Sequence, residues 1–184
     1  LDNCILVDGD MIDLSLPISS GWNWISINLE YADNDINDVL NSLNSELFDQ
    51  IKNQTTSAIY YGEEGGWQGT LNMIDVTSMY MLSSANSGSL DFTGISVDPA
   101  SNPISLAAGW NWISYLPQDG YEINYALESI TAELFDNIKN QTASAIYYGE
   151  EGGWQGTLNT MYAGGGFMLS VSSASTLIYP STAE

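Results

Sequence analysis

The side chains that could do chemistry in this chain are carboxylates, tyrosines, one thiol and two amines. The 184 residues include 23 Asp and Glu, two Lys and no His, for a formal net charge of −21. Without histidine, a Ser-His-Asp triad, a histidine general base and a His-ligated zinc site are excluded. Two lysines are too few to neutralise the phosphates of a duplex nucleic acid or to hold an anionic membrane surface. No apolar run approaches the roughly 18 residues of a membrane-spanning helix, so we expect no membrane insertion.

The carboxylates could in principle serve a glycoside hydrolase, which needs two carboxyl groups about 5–9 Å apart across a sugar. Glu63 and Glu64 are adjacent in sequence, so on a strand their side chains would point to opposite faces. The same pair recurs as Glu150 and Glu151, and a duplicated loop favours repeated binding or a structural role over one catalytic centre. We therefore expect no enzyme, and a cryptic glycoside hydrolase ranks last among the functional hypotheses.

Clustered acidic residues could also bind calcium, which takes six to eight oxygen ligands. The main candidate is Asp33, Asp35 and Asp38, before and within the start of a predicted helix. These residues lack the spacing of an EF-hand loop, and the second half of the chain does not repeat them. Helix capping is the simpler interpretation, so calcium is a weak candidate and no other cofactor is expected.

Both lysines lie at equivalent positions of a repeated Ile-Lys-Asn-Gln segment, as Lys52 and Lys139. Alternation predicts that they face away from Ile51 and Ile138. The simplest interpretation is an ion pair with a neighbouring carboxylate, which stabilises little if exposed and is costly to break if buried. The alternative is an internal isopeptide cross-link to an Asn or Asp. Cys4 is the only cysteine, so the chain forms no internal disulfide.

Many of these side chains occur twice because the chain contains an internal duplication. The hexapeptide GWNWIS at 21–26 recurs at 109–114, and the 27-residue block 46–72 recurs at 133–159 with only two differences. Two prolines among small polar residues mark a short linker between the copies. The predicted organisation is an N-terminal extension or strand (1–11), repeat 1 (12–98), a linker (99–103) and repeat 2 (104–184).

Hydrophobic periodicity within one copy predicts mainly strands and one helix. Ile36, Val39, Leu40 and Leu43 follow the spacing of one helix face, with Asp35 or Asn34 as the N-cap. Alternating or β-rich runs predict strands at 22–27, 47–54, 57–61, 79–83 and 90–95, with a hairpin turn at 63–66. The predicted fold is mostly β with one short helix per repeat, as two similar small sandwich-like or barrel-like domains in tandem.

The nearly identical block carries aromatic rings beside amides and carboxylates, a combination that suits a sugar or a protein interface. Gene conversion or a shared structural requirement would explain the identity equally well. Trp67 and Trp154 stand beside glycines near a turn and are expected to be exposed, whereas Trp22, Trp24, Trp110 and Trp112 are expected in the core. The candidate ligand or interface residues are Tyr60, Tyr61, Glu63, Glu64, Trp67, Gln68, Tyr147, Tyr148, Glu150, Glu151, Trp154 and Gln155.

The repeated phrases GWNWIS, IKNQT followed by IYYG, GGWQGTL, and the closing SMYMLSSA or GGFMLSVS resemble a tandem repeat of large bacterial proteins. Such repeats occur in secreted and cell-surface proteins of Bacteroidetes-like organisms, among adhesion, carbohydrate-binding and surface-anchoring modules. The resemblance covers about residues 12–180. It implies an extracellular or cell-surface, non-catalytic module, and it supplies no active-site residues.

Two binding hypotheses follow from the sequence. The first is a structural or adhesive repeat of a surface protein or self-assembling fibre, whose partners are other copies of itself or other surface proteins. Unpaired strand edges, or the segment around Cys4, could then join a neighbour by strand addition. The second is a carbohydrate-binding module that holds a polysaccharide on exposed Trp and Tyr side chains.

Overall fold

The computed structural model describes residues 11–30 and 34–181. The fold is mostly β with two short helices, which confirms the predicted class. Repeat 1 contains β1 (Met11–Ile18), β2 (Gly21–Ser26), β3 (Leu29–Glu30), α1 (Ile36–Val39), β4 (Gln50–Lys52), β5 (Ser57–Tyr60), β6 (Trp67–Gly69), β7 (Met79–Ser84) and β8 (Gly88–Ser96). A 3-10 turn (Pro99–Ser101) follows. Repeat 2 contains β9 (Ile104–Leu106), β10 (Gly109–Ser114), β11 (Tyr121–Glu122), α2 (Ile123–Ala126), β12 (Asn137–Lys139), β13 (Ser144–Tyr147), β14 (Trp154–Gly156), β15 (Thr160–Met161), β16 (Gly166–Val171) and β17 (Ser175–Leu177).

Each repeat builds a five-stranded antiparallel sheet with the same strand order. In repeat 1 the order is β2-β7-β4-β5-β6, and in repeat 2 it is β10-β16-β12-β13-β14. The hairpin predicted at 63–66 is confirmed, since β5 pairs with β6 through Tyr60 and Trp67. The duplicated sequence therefore folds twice into the same central sheet.

Smaller sheets accompany the two central sheets. In repeat 1, β1 pairs with β8 over eight residues, and β8 also pairs with β3. The equivalent strands of repeat 2, β9 and β17, pair over only three residues, and β11 pairs with β15. Each repeat thus has its own central sheet of the same topology, and the two repeats differ in the strands around that sheet.

The predicted helix forms in both repeats but is a single turn. Asp35 is the N-cap of α1, because its side chain accepts a hydrogen bond from the Asn37 N–H at 2.8 Å. Glu122 caps α2 in the same way. Although α1 ends at Val39, the predicted apolar positions from Ile36 to Leu43 are all buried, because the following turns continue to face the core.

The buried apolar residues form two clusters that correspond to the two repeats. The cluster of repeat 2 also takes in Val76 and Val97, which precede the linker in sequence. Asp98 caps the 3-10 turn of the linker by accepting a hydrogen bond from the Ala100 N–H at 3.1 Å. The proposed boundaries of the repeats stay a prediction.

The tryptophans are distributed differently from the sequence-based expectation. Trp22 and Trp110 are 43% and 44% exposed, so their predicted core location is wrong. The opposite face of β2, with Asn23 and Ile25, is the buried face. Asn23 belongs inside because its amide nitrogen donates to the Ser19 carbonyl at 2.7 Å and its amide oxygen accepts from the Ser19 N–H at 2.8 Å.

The prediction that Trp67 and Trp154 are exposed is also wrong, since each is only 5% exposed. The Trp67 ring packs on Tyr60 with centroids 5.4 Å apart, and Trp154 packs on Tyr147 at the same distance. Glycine beside a tryptophan therefore indicates the tight turn of the hairpin here, while the ring itself is packed inside.

One alternation prediction fails before β4. The predicted strand at 47–54 places Leu47 on the same face as Asp49 and Ile51. In the structure Leu47 is 55% exposed, while the other two are buried. The reason is a reverse turn at 46–49, in which the Asp49 N–H donates to the Glu46 carbonyl at 3.0 Å. A turn breaks the strand alternation, so Leu47 leaves the core face.

Candidate functional site

The two repeats contact each other through strands at the edges of their central sheets. The Ser26 N–H at the end of β2 donates to the Gly164 carbonyl at 3.0 Å, and the equivalent Ser114 N–H of β10 donates to the Thr77 carbonyl at 3.1 Å. Ser26 Oγ also donates to the Gly165 carbonyl at 2.7 Å. Since Gly164 and Thr77 occupy equivalent positions, the two halves contact each other in the same way. We call this surface the repeat interface: β2 and residues 76–79 of repeat 1, with β10 and residues 164–166 of repeat 2.

A glutamine from each repeat bonds the edge strand of the other. Gln54 Nε2 donates to the Trp110 carbonyl at 2.9 Å, and its Oε1 accepts from the Trp112 N–H at 2.9 Å. Gln141, at the equivalent position of repeat 2, bonds the Trp22 carbonyl at 2.7 Å and the Trp24 N–H at 3.0 Å. We call such a side chain, which bonds both a carbonyl and an N–H of an edge strand, an amide clamp.

The opposite edge of each sheet carries a second amide clamp. Asn37 Oδ1 accepts from the Trp67 N–H at 2.7 Å, and Asn37 Nδ2 lies 3.5 Å from the Trp67 carbonyl. Asn124 makes the same pair of contacts with Trp154, at 2.6 Å and 3.3 Å. Unpaired N–H and C=O groups on an edge strand can recruit another chain, and side-chain amides occupy those groups here. Strand addition at these four edges, as the sequence suggested, is therefore disfavoured.

The two lysines lie on the outer face of the sheets, over indole rings. Lys52 Nζ is 5.0 Å from the centroid of the Trp22 ring. Lys139 Nζ is 4.7 Å from the Trp110 centroid of its own repeat and 6.0 Å from that of Trp24, across the repeat interface. A cation at this distance from a ring face is attracted by about 0.5–2 kcal/mol, more when water is excluded.

Each lysine contacts an indole ring in the described part of the chain, and an ion pair with a carboxylate stays a prediction. The rings belong to β2 and β10, which are separated from β4 and β12 by β7 and β16, so each lysine side chain extends across one intervening strand. Lys52 and Lys139 are half-buried, whereas an internal isopeptide cross-link needs a buried amine. The lysines thus contribute to the packing of the outer face and of the repeat interface.

Part of the predicted ligand set lies in a cleft that occurs in both repeats. In repeat 1, Tyr60, Glu63 and Trp67 line a cleft of about 190 Å³ against the α1 region. In repeat 2 the equivalent cleft of about 200 Å³ is lined by Tyr147, Glu150 and Trp154, among others. The remaining candidates, which do not line these clefts, are Tyr61, Glu64, Gln68, Tyr148, Glu151 and Gln155. Each adjacent glutamate pair therefore contributes one carboxylate to a cleft, not two.

The clefts of the two repeats differ where the sequence has diverged. Asn41 and Ser45 of repeat 1 are replaced in the lining of repeat 2 by Glu128 and Ala132. The cleft of repeat 2 has Glu128 and Glu150, whereas that of repeat 1 has Glu63 and continues into a larger space that Glu46 also lines. A ligand of these clefts would therefore meet carboxylates at different positions in the two repeats.

An exposed apolar patch occurs in both repeats and was missed by the sequence reasoning. Leu47, Phe48 and Tyr61 are 55%, 62% and 48% exposed, and the Phe48 and Tyr61 rings meet edge to face with centroids 6.5 Å apart. The equivalent Leu134 and Phe135 are 55% and 66% exposed. The signal in the sequence was the repeated Leu-Phe-Asp, in which an apolar pair precedes a buried aspartate.

The structure gives the weak calcium candidate no support in its described part. Asp33 lies outside the described residues, and Asp35 caps α1. Among residues 11–30 and 34–181, no three acidic or thiol side chains are grouped so that they could hold a metal ion. In the same ranges, no helix has the length and apolar character needed to cross a bilayer.

Comparison with known proteins finds no matching protein family, no matching curated protein and no matching solved structure. The resemblance to bacterial surface repeats stays a prediction.

Proposed function

We propose that the chain is a non-catalytic structural module of an extracellular or cell-surface protein, in which two like repeats form one rigid unit with a structural or adhesive role. The observation that carries the proposal is the repeat interface with its reciprocal amide clamps. The best-defined duplicated contacts of the chain join the repeats to each other.

The properties of the repeat interface favour a rigid unit. The contacts are hydrogen bonds to backbone groups of edge strands, reinforced by Lys139 over Trp24 and by Ser26 and Ser114. Asn28 adds bonds from its amide nitrogen to the Leu116 and Pro117 carbonyls, at 3.0 Å and 3.2 Å. The Asn28 bonds are buried and resist separation, because breaking them would leave desolvated polar groups, whereas the bonds of Gln54 and Gln141 are exposed to solvent and contribute less. The extracellular location and the surface partners rest on the sequence resemblance.

Calorimetry tests the rigid unit. We expect one unfolding transition in which the calorimetric and van't Hoff enthalpies agree, because the two repeats open together. Two separate transitions would contradict the proposal. A panel of chromogenic glycosides tests the non-catalytic part, and turnover of any of them would overturn it.

The surface location is tested on intact cells of the source organism. An antibody against the chain should label unbroken cells, and external protease should remove the label. Labelling that appears only after the cells are lysed would contradict the location.

The exposed Trp22 and Trp110 rings favour carbohydrate binding as a second candidate function. Their exposed parts flank the repeat interface on the same outer face as the lysines. Aromatic rings bind the apolar faces of sugars, and ammonium groups donate hydrogen bonds to hydroxyls. Pull-down with insoluble polysaccharides tests this function. Binding should be lost in the variant with Trp22→Ala and Trp110→Ala and kept in the control with Phe48→Ala and Phe135→Ala.

A further inference from the structure

The repeat interface has the reciprocity of a symmetric dimer interface. Gln54 bonds β10 as Gln141 bonds β2, and Ser26 bonds residue 164 as Ser114 bonds the equivalent residue 77. In a two-fold dimer, a residue of one subunit contacts the partner in the same way as the partner's residue contacts it. The chain therefore carries both halves of a dimer-like interface on one polypeptide.

A difference in side-chain size breaks the reciprocity at residues 79 and 166. Met79 begins β7, and Gly166 occupies the equivalent position at the start of β16. The two residues face each other across the interface, and Met79 is completely buried. A Cβ added to Gly166 would lie 2.6 Å from Met79 Cγ and 2.8 Å from the Ile25 carbonyl oxygen. The methionine of repeat 1 thus fills the space that the glycine of repeat 2 leaves.

A second glycine shows the same complementarity. A Cβ added to Gly164 would collide with the side chain of Leu16 in repeat 1. The equivalent residue of repeat 1 is Thr77, which does have a side chain. Repeat 1 therefore packs only against a partner that has glycine at the positions of residues 164 and 166, and repeat 2 has glycine at both.

Like repeats would not fit each other through this surface. Two copies of repeat 1 would bring Met79 against Met79 and Thr77 against Leu16, in space that the structure shows to be full, and overpacking is destabilising. Two copies of repeat 2 would place glycine against glycine and leave the volume of the methionine empty, which loses packing contacts. Only unlike repeats satisfy both the hydrogen bonds and the packing.

We propose that the repeat interface is a selective docking surface on which repeat 1 accepts repeat 2 and no other repeat, so that a second copy of this chain is its partner by exchange. In one chain the linker keeps the two halves together, which raises their effective concentration to the order of millimolar. When the repeat interface of one chain opens, its repeat 1 binds repeat 2 of a neighbouring chain. The repeat 2 of the first chain and the repeat 1 of the neighbour can then bind further copies in the same way. Head-to-tail contacts of this kind close into rings or extend into filaments. This inference rests on the proposed structural function and names its partner.

The test uses the full chain with a protease recognition sequence inserted after Asn102 in the linker. After cleavage, the two halves should remain folded by circular dichroism and should elute together as one pair. When cleaved protein labelled with ¹⁵N is mixed with unlabelled protein and warmed to just below its transition, native mass spectrometry should find mixed pairs. Every mixed pair should contain one repeat 1 and one repeat 2.

Like pairs, separate halves, unfolding after cleavage or an absence of mixed pairs would each overturn the proposal. Gly166→Met should weaken the pairing of the cleaved halves by about tenfold or more, since overpacking disrupts the interface. Gly88→Met is the matched control, because Gly88 is exposed and an added Cβ there meets no atom within 4 Å. Equal weakening by both variants would also count against the proposal. Separate halves after cleavage would also count against the rigid unit, whereas like pairs or an absence of mixed pairs would overturn the selective docking alone.

Discussion

At the scale of single residues, the least expected feature is a phenylalanine in a left-handed backbone conformation, which occurs in both repeats. Phe48 and Phe135 both have φ of +73°. Phe48 is the third residue of the turn closed by Glu46 and Asp49, a position where a positive φ normally selects glycine or asparagine. A bulky side chain with such a φ is strained by about 1–2 kcal/mol. The buried Asp49 holds the turn closed, since its side chain accepts from the Glu46 N–H at 2.9 Å.

Replacing this residue should therefore stabilise the protein. Asparagine tolerates the left-handed region, so Phe48→Asn should raise the free energy of unfolding by about 0.5–1 kcal/mol. Thermal or denaturant unfolding measures the change. Leu47→Asn is the control, because Leu47 is similarly exposed in the same turn and does not have a positive φ. If Phe48→Asn destabilises the protein more than the control does, the ring contact with Tyr61 outweighs the strain.

A buried tyrosine makes the stability depend on alkaline pH. The Tyr80 hydroxyl accepts a hydrogen bond from the Asp75 N–H at 2.7 Å, and burial raises the pKa of Tyr80 from its usual 10 to about 12. Burial raises the pKa of Tyr115 and Tyr179 as well. Since the unfolded chain loses these protons first, stability is fully present below pH 10 and falls as the pH rises toward 12. For Tyr80 alone the loss is on the order of 2–3 kcal/mol.

The second repeat suggests the variant that tests this pH dependence, because Phe167 occupies the position equivalent to Tyr80. Tyr80→Phe should be less stable than the native protein at pH 7, since the Asp75 N–H loses its acceptor. The two proteins should converge between pH 10 and 12, because the variant has no phenol to deprotonate at this position. Urea unfolding across this pH range measures both effects. Tyr162→Phe, at a 63% exposed tyrosine, is the control, and a constant difference between Tyr80→Phe and the native protein would contradict the prediction.

At the scale of elements, side-chain amides occupy hydrogen-bonding groups at both edges of each central sheet. Asn37 and Asn124 bond the outer edges at Trp67 and Trp154, where the strands are only three residues long. Short edge strands and covered edge groups are two known ways to prevent association through sheet edges. The Trp67 and Trp154 backbone groups at these outer edges are therefore bonded within the chain.

Removing the outer clamps should expose these edges to other chains. We expect the variant with Asn37→Ala and Asn124→Ala to lose about 1–2 kcal/mol of stability per site and to associate at concentrations where the native protein stays monomeric. Light scattering after size-exclusion chromatography measures the association. Asn41→Ala is the control, since Asn41 lies in the same cleft and makes no side-chain hydrogen bond with Trp67. A clamp variant that remains monomeric would show that the remaining structure protects the edges.

The sequence predicts the positions of the helices and strands better than it predicts which of their side chains are exposed. Periodicity and turn residues correctly predict the helix positions, the hairpin and most strands, because each depends on neighbouring residues. The exposed Trp22 could not be predicted, because Asn23 is buried by hydrogen bonds to Ser19 and Gly21 that depend on the turn before β2. The role of Gln54 was equally hidden, because its partners are 56 and 58 residues away in the chain. The duplication identifies the nearly identical block 46–72 and 133–159, but only the packing of the two repeats shows which residues that block contacts.

At the scale of the whole molecule, the net charge of −21 opposes the packing of the two repeats. The two positive side chains lie over tryptophans on the outer face, where Lys139 reaches from its own repeat to the other. Like charges destabilise a compact state through self-repulsion, and dissolved salt screens them. Screening also weakens the cation–π contacts, but the described residues make three of these, against 23 acidic side chains in the chain.

Salt should therefore stabilise this protein. Raising the NaCl concentration from about 0.01 M to about 0.15 M shortens the screening length from about 30 Å to about 8 Å. We expect the melting temperature to rise over this range, because repulsion between the acidic side chains of the two repeats is reduced. Differential scanning calorimetry measures the shift, and a fall in melting temperature would show that the cation–π contacts dominate.

Comparison of CaCl₂ with MgCl₂ at the same concentration distinguishes screening by a divalent cation from specific binding of calcium. We expect the two salts to shift the melting temperature equally, because both act by screening the acidic side chains. A clearly larger shift with CaCl₂ would reveal a specific calcium site and would return attention to the acidic residues near Asp33.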